Sequence, residues 1–184
     1  MNAKIFRTRL AIGTATGVVT VAAAAGIAAA QDSRPAQPAP AAAAAQNVVQ
    51  TEALGVDAAT RAAQAVLAEA RKGGHRVTVA VLDRSGSVRV LLKADGAGPQ
   101  TEESAKRKAF TAVSFGQPTS ALARNAQGDG PTIRDIPGTL FLGGGVPVTA
   151  RSGPVAGIGV GGAPSGDLDE RYANAGLKTL EQPR

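Results

Sequence analysis

Val77–Asp83 and Val88–Lys93 read VTVAVLD and VRVLLK, two β-branched-rich runs separated by Arg84-Ser85-Gly86-Ser87. Two such runs around a short glycine-containing turn form a β-hairpin. This is the strongest constraint on the fold, because a hairpin commits the chain to an antiparallel sheet that other elements must cover.

Helical patterns supply the cover. Ala59, Ala63, Val66, Leu67 and Ala70 share one helical face, with Asp57 expected as N-cap and Gly73-Gly74 closing the helix after Arg71 and Lys72. A second helix is expected over Thr101–Phe115, capped by Thr101. Its inner face, Ala105, Ala109, Ala112 and Val113, is small enough to lie close on a sheet. Residues 116–138 form a long Gly/Pro-punctuated connection with one helical turn near Thr119–Ala126, and connections of that length are usually functional or mobile. Thr139–Gly162 reads as strand, glycine break, strand, tight turn at Arg151–Pro154, and strand. The last segment is an amphipathic helix with Leu168, Tyr172, Ala175, Leu177 and Leu180 on its apolar side; Asp167 and Glu170 there resemble a capping box. The order α-β-β-α-(loop)-β-β-β-α predicts an α+β domain, an antiparallel sheet flanked by helices.

The N-terminal part differs in kind. Lys4, Arg7 and Arg9 precede the acid-free stretch Leu10–Ala30, which ends in small residues, so residues 1–30 read as a secretory signal peptide. A twin-arginine signal is not supported, because Thr8 separates the nearest arginines. An uncleaved anchor is the alternative, although Ala, Gly and Thr make a poor permanent span. Residues 31–47 are a Pro/Ala-rich tether, extended and semi-rigid, and the folded domain is expected over 48–184. Export places the protein in a secreted or extracellular location, held near the envelope if the anchor stays. Losing residues 1–30 lowers the formal charge from +6 to +3. The high pI therefore owes much to the leader, and with aromatics at 3% and no basic run among them nucleic acid is excluded as a partner. The chain has no cysteine, which removes disulfides, thiol catalysis and cysteine metal sites and leaves packing to hold the fold.

GIGVGG (Gly157–Gly162) formally matches G-x-G-x-x-G. A dinucleotide fingerprint needs a helix directly after the glycine turn and a second strand bearing an acid about 20 residues on. Only 22 residues follow Gly162, encoding one helix. Gly157, Gly159 and Gly161 instead alternate along a strand and leave a bare strip for a helix, a neighbouring subunit or a flat ligand.

The blocks VAVLDRSGSVRVLLKADGA, SAKRKAFTAVSFGQPT, GGGVPV and GPVAGIGVGGAPSGDLDE occur in this order. Together, over about residues 50–182, the chain resembles the haem-degrading/GlcG-like family. The resemblance implies a profilin-like or PAS-like fold, homo-oligomers, and binding of haem or iron. For exported members it also implies partnership with the extracellular domain of a sensor histidine kinase.

Haem iron takes His, Met, Cys or Tyr as axial ligand. The chain offers one histidine, His75, one tyrosine, Tyr172, and a single methionine at position 1. His75 is the candidate ligand, with Arg76, Arg71 and Lys72 placed to pair with propionates; a solvated connector histidine is the alternative. Tyr172 reads as core. In the long loop, Thr132 offers a weak oxygen ligand beside Arg134, unless the loop only shapes an oligomer contact. Glu102 and Glu103 are candidate iron carboxylates, but each has a basic partner at i+4, Lys106 and Arg107, which reads equally as a solvated ion-paired face. The amides of Gly144 and Gly145 form a candidate seat for a carboxylate or propionate, with a β-bulge as the simpler reading. No catalytic constellation appears: the G-x-S-x-G elbow, H-E-x-x-H and the P-loop are all missing. The expected function is an exported haem-binding accessory protein. A haem-degrading enzyme and a PAS-like binder of a small carboxylate are the alternatives.

Overall fold

The computed structural model describes residues 40–127, 132–151 and 153–181. Contacts divide the chain into Met1–Ala44 and Ala45–Arg184. The predicted leader and residues 31–39 of the tether lie outside the described residues. Residues 40–44 are irregular and exposed, and Ala45–Asn47 form one 3-10 turn.

In the second unit the order is α1 (Val56–Lys72), β1 (Thr78–Asp83), β2 (Val88–Lys93), α2 (Gln100–Phe115), α3 (Thr119–Asn125), β3 (Gly145–Ala150), β4 (Gly153–Gly161) and α4 (Gly166–Glu181). A second 3-10 turn, Ile133–Asp135, lies between α3 and β3. The four strands form one antiparallel sheet in the order β2-β1-β4-β3. β1 and β4 are central, with Ala80 opposite Gly159, and their residues are almost all buried because both faces are covered. This is the predicted α+β class.

Period-two alternation sorts β1 between two layers. Val77, Val79 and Val81, with Ile158 and Val160 of β4, face α1 and α4 in the main core, which includes Ala63, Val66, Tyr172 and Ala173. Ala80 and Leu82 face α2 through Ala105 and Ala109, with Phe110 half-buried at the margin. A satellite cluster of Leu122, Ala126 and Phe141 sits under the long loop and takes in Phe115 and Ile133.

The occupant of the bare strip is α2. A Cβ on Gly157 would run into the carbonyl of Ala109, and one on Gly159 into the carbonyl of Ala105 and the amide of Ala109. At Gly161 it would sit 2.9 Å from the carbonyl oxygen of Thr101. Alternating glycines on the strand and alanines on the helix let two backbones approach at a separation no larger side chains permit.

Several local expectations change. The caps are Gly55 and Pro99 rather than Asp57 and Thr101. Thr101 is buried and spends its hydroxyl on Gly98 O and Thr78 Oγ1. Asp167 and Glu170 do not form a capping box: Ser165 Oγ accepts from Leu168 N, while Glu170 reaches away to Ser120 and Gly144. The strand expected at 139–142 is irregular, because Leu140 N donates to the Thr111 side chain and Phe141 turns into the satellite cluster.

Candidate functional site

His75 is placed by the end of α1. Gly73 caps the helix and Gly74 takes φ 73°, a left-handed conformation glycine adopts without strain, so the chain turns and His75 N reaches back to Ala70 O at 2.9 Å. The ring is half-buried and its Nδ1 lies 2.6 Å from the Tyr172 hydroxyl of α4. Tyr172 is 3% exposed in the main core, as the sequence reading expected, yet its polar tip is directed at the candidate ligand. Gly73 makes room for it, since a Cβ there would collide with the Tyr172 hydroxyl. Arg71, Lys72 and Arg76, which flank His75 in sequence, are exposed; Lys72 is held by Glu69 at 3.1 Å and the Arg76 side chain lies beside Gly96. The second ring nitrogen, Nε2, has no partner among the described residues.

Thr132 and Arg134 lie elsewhere. Thr132 Oγ1 accepts from Arg134 N at 3.2 Å and Arg134 Nε at 3.3 Å, and Thr132 N donates to Asp135 Oδ2 at 2.7 Å. The threonine oxygen thus caps its own 3-10 turn. Ile133 packs on the satellite cluster and Leu140 N bonds to Thr111 of α2, so this loop rides on the α2 side of the sheet. His75 belongs to the α1–α4 side. One chain does not bring the two candidates together.

The amides of Gly144 and Gly145 are spoken for. Gly144 N donates to Glu170 Oε2 at 3.2 Å and Gly145 N to Thr119 Oγ1 at 2.9 Å, while Gly144 O accepts from Val160 N. A carboxylate would have to displace Glu170 and Thr119 to sit there. Glu102 and Glu103 stand on the outer face of α2, paired with Lys106 at 3.0 Å and Arg107 at 2.7 Å. The Arg107 side chain holds the Glu103 carboxyl below its usual range, with Lys106 adding to the effect. Among the described residues, no three His, Asp or Glu side chains converge as a metal site.

Sequence reasoning missed the most buried charges. Lys108 of α2 and Asp169 of α4 form an ion pair beneath a pocket of about 410 Å³ that is also lined by Ser104, Leu142 and Ser165. The available signal was Lys108 itself, a charge set directly beside Ala109 in the alanine stripe.

A four-stranded antiparallel sheet between one helix and a helix pair, with a half-buried imidazole backed by a buried phenol, defines a small α+β domain. The chain belongs to the HbpS-like family, described as "Haem degrading protein HbpS-like", which matches residues 54–178. A double Glu-to-Asp variant of HbpS from Streptomyces reticuli is 56% identical, with a TM-score of 0.75 over 79% of this chain and 99% of that one. The Klebsiella pneumoniae protein ORFY shares the fold at 23% identity, TM-score 0.68, over 74% of this chain and 97% of its own. A haem complex of PduOC does so at 22% identity, TM-score 0.65, over 71% and 96%. No curated protein matches the chain closely enough to serve as a relative.

Proposed function

We propose that this chain is an exported haem-binding accessory protein, capturing haem or its iron outside the cell and reporting it to a membrane sensor kinase. The observation that carries the site is His75, a half-buried imidazole with Nδ1 held by Tyr172 and Nε2 without a partner among the described residues, and with the exposed Arg71, Lys72 and Arg76 flanking it in sequence. That donor set fits haem: an axial nitrogen with an ordering partner on its other side, and cations for the propionates. Membership of the HbpS-like family and the haem complex of the fold relative PduOC support the same ligand. Haem bound there would supply ligand exchange and redox chemistry, with His75 as the residue that would hold the iron and Arg71, Lys72 and Arg76 as the cations available to its carboxylates.

Thr132 is the second candidate contact. Because it lies on the opposite side of the sheet from His75, a haem touching both has to lie between two copies of the chain, consistent with a homo-oligomer. Export rests on the basic start and apolar run of residues 1–30. Mass analysis of the protein recovered from culture medium tests it, and a retained leader overturns it.

Titration of the 48–184 domain with hemin tests the ligand. A Soret shift saturating at low micromolar hemin is expected, lost in His75→Ala. Absence of any shift overturns haem binding, and an unchanged spectrum in His75→Ala overturns the ligand assignment. The family's description favours a second reading, ring opening of bound haem. Loss of the Soret band with release of linear tetrapyrrole on adding a reductant supports that reading, and intact haem after many minutes supports capture.

A further inference from the structure

The Tyr172 hydroxyl has one partner among the described residues, His75 Nδ1 at 2.6 Å, and it sits on a tyrosine only 3% exposed. A buried phenol proton left without an acceptor is costly, whereas an unused oxygen lone pair costs little. The phenol proton therefore goes to Nδ1. A neutral imidazole whose Nδ1 accepts must carry its own proton on Nε2. Nε2 has no partner among the described residues and is not a buried unsatisfied atom, so it meets solvent, and it is the nitrogen a metal would need as a bare lone pair.

We propose that Tyr172 is a positioning residue for His75: it holds the free imidazole as the Nε2–H tautomer, so that ligation at Nε2 requires the Tyr172–His75 hydrogen bond to reverse. On reversal the proton sits on Nδ1 and is donated to the phenol oxygen. The net protonation of the ring is unchanged, because one proton has moved from Nε2 to Nδ1 through solvent. Tyr172 orders the ring of the empty protein, but after reversal the phenol proton has no acceptor among the described residues, so ligation at Nε2 works against the bond that holds the free imidazole. The ligated half of this inference rests on the haem-site reading; the tautomer of the free protein does not.

The chain has one histidine, one tyrosine and no tryptophan, so both partners give unambiguous signals. Nitrogen NMR on protein carrying labelled histidine reads the tautomer directly. Free wild-type protein at neutral pH is expected to show a bare, hydrogen-bonded Nδ1 and a protonated Nε2. Tyr172→Phe, checked for folding by circular dichroism, is expected to raise the Nδ1–H population. Zinc protoporphyrin, a diamagnetic stand-in that takes one axial ligand, is expected to exchange the two signals in the wild type. Nδ1–H in the free wild-type protein overturns the inference without recourse to any variant, as does an unchanged tautomer balance in a folded Tyr172→Phe. Signals that the porphyrin leaves unmoved overturn the haem-site reading and the reversal with it, and leave the tautomer of the free protein as the surviving result.

Discussion

Lys108 Nζ lies 2.7 Å from Asp169 Oδ2, and the two side chains are 4% and 5% exposed. Lys108 also donates to Val160 O at 3.0 Å, and Asp169 Oδ1 accepts from Ala163 N at 3.0 Å, so one pair ties α2, β4 and α4 together. Burial pushes the Asp169 carboxyl above its usual range, opposed by the Lys108 ammonium and the amides of Ala163 and Gly162. Removing one partner leaves the other charge buried alone, so Asp169→Ala is expected to cost about 3–5 kcal/mol in urea unfolding. Replacing both with apolar residues, Lys108→Met with Asp169→Leu, is expected to recover most of that loss. An Asp169→Ala variant as stable as wild type contradicts this account.

The glycine strip gives a sharper steric prediction. Gly159 faces the Ala105 carbonyl and the Ala109 amide and Cβ, mostly backbone atoms that cannot rotate away. Gly159→Ala must therefore push α2 off the sheet, at a cost of about 1–3 kcal/mol or more. Thermal unfolding reads it as a Tm drop of several degrees, at roughly 4 °C per kcal/mol for a domain of this size. An unchanged Tm removes the close helix–sheet approach from the explanation.

These two contacts show where sequence reading works and where it stops. The hairpin, the glycine alternation and the alanine face of α2 are periodic, and periodicity maps directly onto which side of an element is buried. Asp167 with Glu170 matched a local capping pattern, but Glu170 is claimed by Ser120 and Gly144, one 50 and one 26 residues away. No local pattern encodes such a partner. His75 was legible by scarcity, as the one histidine, while its tie to Tyr172 spans 97 residues and depends on Gly73 leaving room for the phenol. The Lys108–Asp169 pair was hidden because a lysine inside a helix reads as surface until the sheet is placed beneath it.

The glycine loop before β3 is held by a threonine that the sequence reading did not single out. Thr119 Oγ1 accepts from Gly145 N at 2.9 Å and donates to Leu142 O at 2.7 Å, and Thr119 is fully buried. Thr119→Val preserves shape but strands a buried amide and a carbonyl, for an expected cost of about 1–3 kcal/mol. Amide hydrogen exchange is expected to accelerate at Gly145 first. Equal protection at Gly145 in the variant would assign the loop's order to Glu170 alone.

The hairpin turn carries a pH signature. Asp83 Oδ1 accepts from Ser85 Oγ at 2.6 Å, Ser85 N at 2.9 Å and Ser87 N at 3.0 Å. The Ser85 hydroxyl is the largest influence and holds the carboxyl below its ordinary 3.8; burial opposes it, and the amides of Ser87 and Ser85 and the charge of Arg89 add to the lowering. A carboxyl whose value falls on folding adds stability above the unfolded value, and that stability is lost as pH falls through the folded value. Its contribution is therefore complete above about pH 5 and fades below about pH 4. Asp83→Asn keeps the shape without the charge and is expected to cost no more than about 1 kcal/mol at neutral pH, given the solvent around the turn. The difference from wild type should shrink as the pH falls below about 4 and through the folded value, where the native carboxyl becomes protonated too. Urea unfolding of both proteins between these limits measures it, and a gap that stays constant down to the acid end contradicts the ionic role of Asp83.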